Sequence, residues 1–379
     1  MIYLDNAATS FPKAPGVAQA MARCVAEVGG NPGRSGHRMA REGSRIQFQA
    51  RAACAGLLGI REPARLAFTL NATEALNQAL LGRLPAGGRV ALGSLEHNAV
   101  MRPLRHLEAT RGVRLDVVPF DACARPDPEA LRAALGRRPD LMVLNAASNV
   151  TGGLAPVGEI AALCRAAGVP LCLDASQWVG HLPLSAADLD LPLLCFSGHK
   201  GLLGPAGTGG FYAQAGWEPE PLVRGGTGSA SDREEQPDLL PDRYESGTVN
   251  LPGLAGLLAA LQWLEAAGVE QVRRREADLA DHLVRGLGAL PGVRVVGPGP
   301  GAERAPVVSI TVPGRDLGEL ALELDRRDIA VRVGLHCAPA AHRSLGTLAA
   351  GGTLRFAPGC FTTEADLDTA LATLEALLT

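Results

Sequence analysis

The stretch Phe196-Ser197-Gly198-His199-Lys200-Gly201 carries one of only two lysines in the chain, and upstream of it Asp174 closes the apolar run Leu171-Cys172-Leu173-Asp174. An apolar strand ending in Asp places a carboxylate at the carboxyl edge of a sheet, where α/β proteins bind ligands. A lysine held among small and apolar residues can have a lowered pKa and act as an amine nucleophile. A carboxylate beside a heterocyclic nitrogen keeps that nitrogen protonated, which makes the ring an electron sink. Together the two residues suggest a lysine that forms a Schiff base with pyridoxal 5′-phosphate and an aspartate that pairs with the pyridinium nitrogen.

Further polar residues fall at the ends of apparent strands. Asn71-Ala72-Thr73-Glu74 opens a helix, and the free N–H groups of a helix N-terminus suit a phosphate; by residue type alone Thr73 serves equally as an ordinary N-cap. His97 follows a strand in Leu95-Glu96-His97-Asn98, and a lone His is commonly a satisfied polar residue. Asn149, in Ser148-Asn149-Val150-Thr151-Gly152, reads on its own as a turn residue. Gln177 lies three residues after Asp174 and could donate its amide to a cofactor oxygen. Gly225-Gly226-Thr227 reads as a flexible turn. The motif Arg332-Val333-Gly334-Leu335-His336-Cys337-Ala338-Pro339 sets a cysteine beside a histidine, just before a helical run opening near Pro339. Such a cysteine can be a reactive thiolate, although alone it reads as structural. His336, Cys337 and His342 lack the spacing and the fourth ligand of a metal site. Arg355, on the apolar strand Thr353-Leu354-Arg355-Phe356, is costly unless paired, and a bidentate α-carboxylate would satisfy it.

These motifs, with the opening Tyr3-Leu4-Asp5-Asn6-Ala7-Ala8-Thr9, resemble the class V aminotransferase family of fold-type I pyridoxal phosphate enzymes, and within it the cysteine desulfurases and selenocysteine lyases. The resemblance runs from Tyr3 to about Phe361. It implies that Lys200 carries the cofactor and that Ala72, Thr73, Ser197 and His199 hold its phosphate. His97 would stack on the ring, and Asn149 and Gln177 would lie near its phenolic oxygen. It also implies a homodimer in which Thr227 reaches the partner's phosphate. Ala7, Asn149 and Arg355 would bind substrate, with Arg355 on the carboxylate. Lys200, Cys337 and His97 are the catalytic candidates. The implied reaction converts L-cysteine to L-alanine, leaves the sulfur on Cys337 as a persulfide, and passes it to a thiol or an acceptor protein. L-Selenocysteine is an alternative substrate. Elimination, epimerisation and transamination use the same scaffold, and a non-catalytic sulfur carrier is the reading from a different class. The histidine-cysteine loop resembles the group II desulfurases, though Leu335 and Gly33 stand where such members often carry His.

The elements needed to position these residues are legible as alternating patterns. Short apolar runs at Arg65–Leu70, Arg89–Leu92, Arg114–Val118, Leu141–Asn145, Pro170–Asp174, Leu193–Phe196 and Thr208–Tyr212 alternate with helical patterns at Thr73–Leu81, Ala99–Thr110, Pro128–Leu135 and Val157–Ala167. This predicts an α/β fold with a mixed, mostly parallel sheet covered by helices. A turn-rich stretch, Arg224–Asp242, reads as a long loop. A long helix from Pro252 to about Leu287 is expected to bend near Gly268. Strands at Val293–Val296, Val307–Val312, Ala330–Val333 and Thr353–Phe356, with helices at Leu317–Arg326 and Glu364–Leu378, form a smaller α/β unit. The expected division is a large cofactor-binding domain, 16–250, and a small domain of 1–15 with 251–379.

Composition narrows the function class. With 379 residues and a net charge of −3, the chain has ample length for two cores, and no basic block points to nucleic acid. No N-terminal signal pattern is present. The longest apolar stretch, Leu254–Leu264, is too short for a bilayer. Eight irregularly spaced cysteines with no Cys-x-x-Cys pair predict a reducing compartment and no metal site. A cytoplasmic enzyme is expected, with six or seven of the cysteines buried.

Overall fold

Short apolar strands need both faces covered, and the chain supplies helices before, between and after them. The computed structural model describes residues 1–33 and 35–379. Strand β1 (Ile2–Tyr3) precedes helices α1 (Val17–Arg23) and α2 (Arg38–Leu57), which the sequence patterns do not reveal. The reason lies in what α2 buries: Ala40, Gly43, Ala50, Arg51, Cys54 and Ala55, rather than a stripe of large aliphatic residues.

From there the alternation is regular: β2 (Leu66–Thr69), α3 (Ala72–Arg83), β3 (Arg89–Gly93), α4 (Asn98–Arg111), β4 (Arg114–Val118), α5 (Pro128–Gly136), β5 (Leu141–Asn145), α6 (Val157–Ala167), β6 (Leu171–Asp174), β7 (Leu193–Ser197) and β8 (Gly209–Ala213). These seven strands, β2 to β8, form one sheet in the order β2-β8-β7-β6-β5-β3-β4. All neighbours are parallel except those of β8, which runs antiparallel to β2 and β7. No helix separates β7 from β8, and a parallel crossover needs one. Strands β5, β6, β7 and β8 are buried throughout. Their alternate residues enter two cores: Leu144, Leu173, Leu194 and Phe196 join one, and Val143, Cys172, Leu193 and Cys195 the other.

Residues 214–250 form no helix or strand. A buried ion pair, Arg51 with Glu245 at 2.6 Å, ties this segment to α2. Helix α7 (Leu251–Ala267) then ends at Gly268, whose φ of +80° suits a residue without Cβ, and α8 (Val269–Ala289) departs in a new direction. The remaining elements are β9 (Arg294–Val296), β10 (Val308–Thr311), α9 (Leu317–Asp325), β11 (Ile329–Ala330), β12 (Arg332–Gly334), α10 (Pro339–Ser344), β13 (Thr353–Phe356) and α11 (Glu364–Leu378). Strands β12-β13-β10-β9 make an antiparallel sheet over a third core that includes Leu279, Leu283, Ile310, Leu354, Phe356 and Leu374.

The single strand expected at Ala330–Val333 is divided, because Ile329 and Ala330 pair with β1 while Arg332–Gly334 pair with β13. The unit that the sequence assigns to 251–379 shares its first helix with the larger one. α7 buries Leu254, Leu257 and Leu261 in the first core, joined by Val272 at the start of α8, whereas Leu279, Leu283 and Leu287 farther along α8 enter the third. No helix among the described residues is long and apolar enough to cross a membrane.

Candidate active site

The carboxyl ends of β5, β6 and β7 stop at Asn145, Asp174 and Ser197, so their polar side chains collect at one sheet edge. A cavity of about 300 Å³ opens there. Ala7, Ala72, Thr73, His97, Asn149, Asp174, Gln177, Ser197, His199, Lys200 and Arg355 all line it. Residues separated by up to 348 positions of chain are thus brought together by three things: the parallel strand ends, the N-terminal segment and the edge of the second sheet. Thr227 and Cys337 do not line this cavity. Thr227 sits in the irregular segment, bonded to Ser229.

Each segment has a local reason for its place. The N-cap of α3 is Asn71, whose Oδ1 accepts from the Glu74 N–H at 3.0 Å, so Thr73 is not the cap and its hydroxyl is left for another partner. Ser197 Oγ accepts from the Ala72 N–H at 3.1 Å, which joins the end of β7 to that helix start. Lys200 lies on a turn between Gly198 and Gly201. A Cβ on Gly198 would strike Thr208, and one on Gly201 would strike the Val179 carbonyl. Asp174 is 3 % exposed and accepts from the Ser176 N–H at 3.0 Å. Gln177 donates from Nε2 to the Ala7 carbonyl at 2.8 Å and so holds the N-terminal segment against the cavity. His97 caps α4 by accepting the Ala99 N–H on Nδ1, which leaves the proton of the neutral ring on Nε2.

Burial lowers the bases that line the cavity. Burial pushes the Lys200 amine down to about 8, and Arg355 and Arg332 add to the depression, while Asp174 and Cys337 oppose it. Burial and then Lys200 lower His97 to about 4. Burial, Lys200 and Lys13 do the same to His199. Behind the cavity Glu96 accepts the Asn145 N–H at 2.9 Å, and burial raises it to about 8, so it is a neutral carboxyl at pH 7.

Arg355 is 1 % exposed. Its Nη2 donates to Asp5 Oδ1 at 2.6 Å and its Nη1 to the Asn149 carbonyl at 3.0 Å, while Nε has no partner. The pairing that an arginine on an apolar strand demands thus comes in part from Asp5, which β1 brings alongside by pairing with β11. Three further polar atoms near the cavity are buried without partners: Asn149 Oδ1, His199 Nδ1 and His336 Nδ1.

Cys337 stands beside this constellation. His336 and Arg332 line the cavity, and Arg332 Nη2 lies 3.3 Å from Cys337 Sγ. The register of β12 on β13 sets Arg332 opposite Arg355. His336 and Cys337 have φ values of +47° and +58°, a left-handed conformation uncommon outside glycine. Three bonds hold it: Asn149 Nδ2 donates to the His336 carbonyl at 2.7 Å, the Asn98 N–H donates to the Cys337 carbonyl at 2.8 Å, and His336 Nε2 meets Thr353 Oγ1 at 2.8 Å. Only Cys123 and Cys337 are exposed, and the other six cysteines are buried. Burial raises Cys54, Cys164 and Cys360 to about 12, so they remain thiols. Among the described residues no group of three or more His, Cys, Asp or Glu could hold a metal.

Sequence reasoning passed over Asp5, Lys13, Arg332 and Ser176. The signal for Asp5 was available, since Arg355 required an anion. The other three become visible only through their neighbours.

Comparison with known proteins agrees with this geometry. The family model for aminotransferase class-V matches residues 2–370. The chain is 34% identical over 360 residues to a probable cysteine desulfurase of Aeropyrum pernix, covering 90% of this chain and 86% of that protein. It is 33% identical to a cysteine desulfurase of Cereibacter sphaeroides, with 98% and 94% covered. The apo structure of a cysteine desulfurase from Thermococcus onnurineus superposes with a TM-score of 0.92 at 29% identity, covering 99% of this chain and 94% of that one. The match across nearly the whole chain, together with the lysine, aspartate and arginine converging on one cavity, makes this protein a member of the class-V aminotransferase family.

Proposed function

We propose that this chain is a pyridoxal phosphate-dependent cysteine desulfurase, which converts L-cysteine to L-alanine and takes the sulfur on Cys337. The observation that carries the reading is the exposed Cys337 thiol, held in a left-handed turn beside Arg332, next to a cavity that contains a depressed lysine amine and a buried arginine.

The residues present fit the cofactor. Lys200 offers an amine, Asp174 offers a carboxylate for the ring nitrogen, and the start of α3 offers N–H groups with Ser197, His199 and Thr73 for a phosphate. The unpartnered Asn149 Oδ1 and His199 Nδ1 are polar atoms still owed a partner. Asn149 and Gln177 would sit by the phenolic oxygen and His97 against the ring. When bound, the cofactor supplies an aldehyde for amine exchange and a sink for the electron pair released at the α-carbon.

This chain's own residues then divide the remaining tasks. Arg355, already oriented by Asp5, binds the substrate carboxylate. Lys200 Nζ takes the α-proton, and an amine lowered to about 8 gives up its own proton more readily than an ordinary lysine. The Cys337 thiolate attacks the substrate sulfur, forming an S–S bond as the C–S bond breaks. The electron pair of that bond stays with the carbon skeleton, which is protonated and leaves as alanine. Because Cys337 is exposed, the persulfide is open to a small thiol or an acceptor protein. L-Selenocysteine fits the same groups. The reading includes a homodimer in which the Thr227 loop serves the partner's phosphate, and a cytoplasmic enzyme, in keeping with eight free cysteines.

The test is mass spectrometry after brief exposure to L-cysteine without reductant. The wild type gains a sulfur adduct on Cys337. Cys337→Ser keeps the cofactor but yields neither persulfide nor alanine. Normal sulfide release with no adduct on Cys337 would make the enzyme a lyase of another kind.

A further inference from the structure

The turn that carries Lys200 is gripped from behind by the N-terminal segment. The backbone carbonyl of His199 lies within hydrogen-bond reach of four donors: the Ser10 N–H at 2.9 Å, Thr9 Oγ1 at 3.1 Å, Ser10 Oγ at 3.2 Å and Lys13 Nζ at 3.1 Å. A carbonyl oxygen has two lone pairs, so four donors compete for it, and the charged one makes the strongest bond. Lys13 also donates to Thr9 Oγ1 at 3.1 Å and to Ser10 Oγ at 3.0 Å. Its three N–H groups are therefore engaged with three neutral oxygens, and the two hydroxyls it orients can pass their own protons on to the same carbonyl. Lysines usually extend their ammonium into water. This one is half-buried, and burial lowers it to about 8.

We infer that Lys13 is a positioning residue for Lys200: its ammonium closes the donor cluster on the His199 carbonyl and thereby fixes the direction in which the next side chain enters the cavity. The inference rests on the reading of Lys200 as the reactive amine. Lys13 is not itself part of the cavity lining; it holds the backbone carbonyl of His199, a lining residue, and acts through the peptide between His199 and Lys200. The titratable and charged groups that face Lys200 include Asp174, Arg355, Arg332, Cys337 and the imidazoles of His97 and His199. Lys13 meets this turn through its hydrogen bond to the His199 carbonyl, and its removal acts on Lys200 through the geometry and solvation of that turn.

With only two lysines in the chain, amine chemistry reads each one separately. Cofactor-free protein is acetylated briefly with acetic anhydride across a pH series, and the peptides holding Lys13 and Lys200 are quantified. In the wild type Lys200 titrates near 8. In Lys13→Met the turn loosens and water reaches the amine, so the Lys200 titration rises by about one pH unit or more toward the ordinary lysine range. Lys13→Arg, which keeps a charged donor, restores the wild-type position. A Lys200 titration unmoved in Lys13→Met overturns the inference, and so does a Lys13→Arg variant as displaced as Lys13→Met. Thermal melts run alongside show that the variants are folded. If Lys13→Met does not fold, Ser10→Ala removes one hydroxyl from the cluster and must move Lys200 in the same direction. Borohydride reduction of the loaded wild type tests the underlying reading independently: a label absent from Lys200 sinks that reading without altering the acetylation result.

Discussion

Replacing Arg355 with methionine keeps an apolar stem on β13 and removes the guanidinium. In the structure two of the five guanidinium N–H groups are taken, by Asp5 and the Asn149 carbonyl, and the buried Nε has no partner. The remaining donors can meet a carboxylate in the bidentate manner of arginine. Losing such a charge-assisted contact is worth about 2–4 kcal/mol, or about 30- to 900-fold in kcat/KM at about 1.36 kcal/mol per decade. Stability moves less, because the Asp5 carboxyl left behind has a side chain 22% exposed and can turn to water. The converse change is harsher on the fold. Asp5→Asn leaves the buried Arg355 charge with a weaker partner, a loss of about 1–3 kcal/mol. The assay is alanine release against L-cysteine concentration, with cofactor content from absorbance and stability from urea titration. Arg355→Met should keep its cofactor and lose kcat/KM. An unchanged kcat/KM would refute the assignment of Arg355 to the carboxylate, and an Asp5→Asn variant as stable as the wild type would refute the argument that Asp5 compensates the buried charge.

Thr227→Ala should weaken retention of pyridoxal phosphate, measured by dialysis and absorbance, if the loop serves a partner subunit; a fully active monomer in gel filtration would rule out a shared site. Arg51→Ala should cost about 3–5 kcal/mol in urea unfolding, because it strands Glu245, which also accepts the Phe68 N–H at 2.7 Å, as a buried unpaired charge; a loss under about 1 kcal/mol would show that water reaches the pair. In the cofactor-free protein Lys13 and Lys200 both titrate near 8, below the ordinary lysine value. Between there and about pH 10.4 the unfolded chain binds protons that the folded chain does not, so stability should rise with pH across that window and fall as pH drops through 8. Lys200→Met should flatten the slope, and an identical slope would contradict the depressed amine.

The large sheet was legible because β5, β6 and β7 are short apolar runs, each ending on a polar residue. Burial on both faces forces that composition, and a ligand site at the strand ends forces the polar terminus. Helix α2 was not legible. It packs closely against α7 through alanine and glycine, which make no stripe of large aliphatic side chains. The divided strand at 329–334 was hidden for another reason: which neighbour each residue pairs with depends on β1, more than 300 residues away in sequence.

The sequence by itself determined the chemical inventory: a lysine, an aspartate, an arginine and a cysteine in motifs whose order resembles one family. Residue identity and local spacing are properties of the chain, and they are enough to state which reactions are possible. Tertiary structure alone decided who stands beside whom. It placed Asp5 on Arg355, Arg332 on Cys337 and Lys13 behind the Lys200 turn, and it buried Lys200 deeply enough to lower its amine to about 8. Those are effects of distance and solvation, set by packing between segments that are remote in sequence.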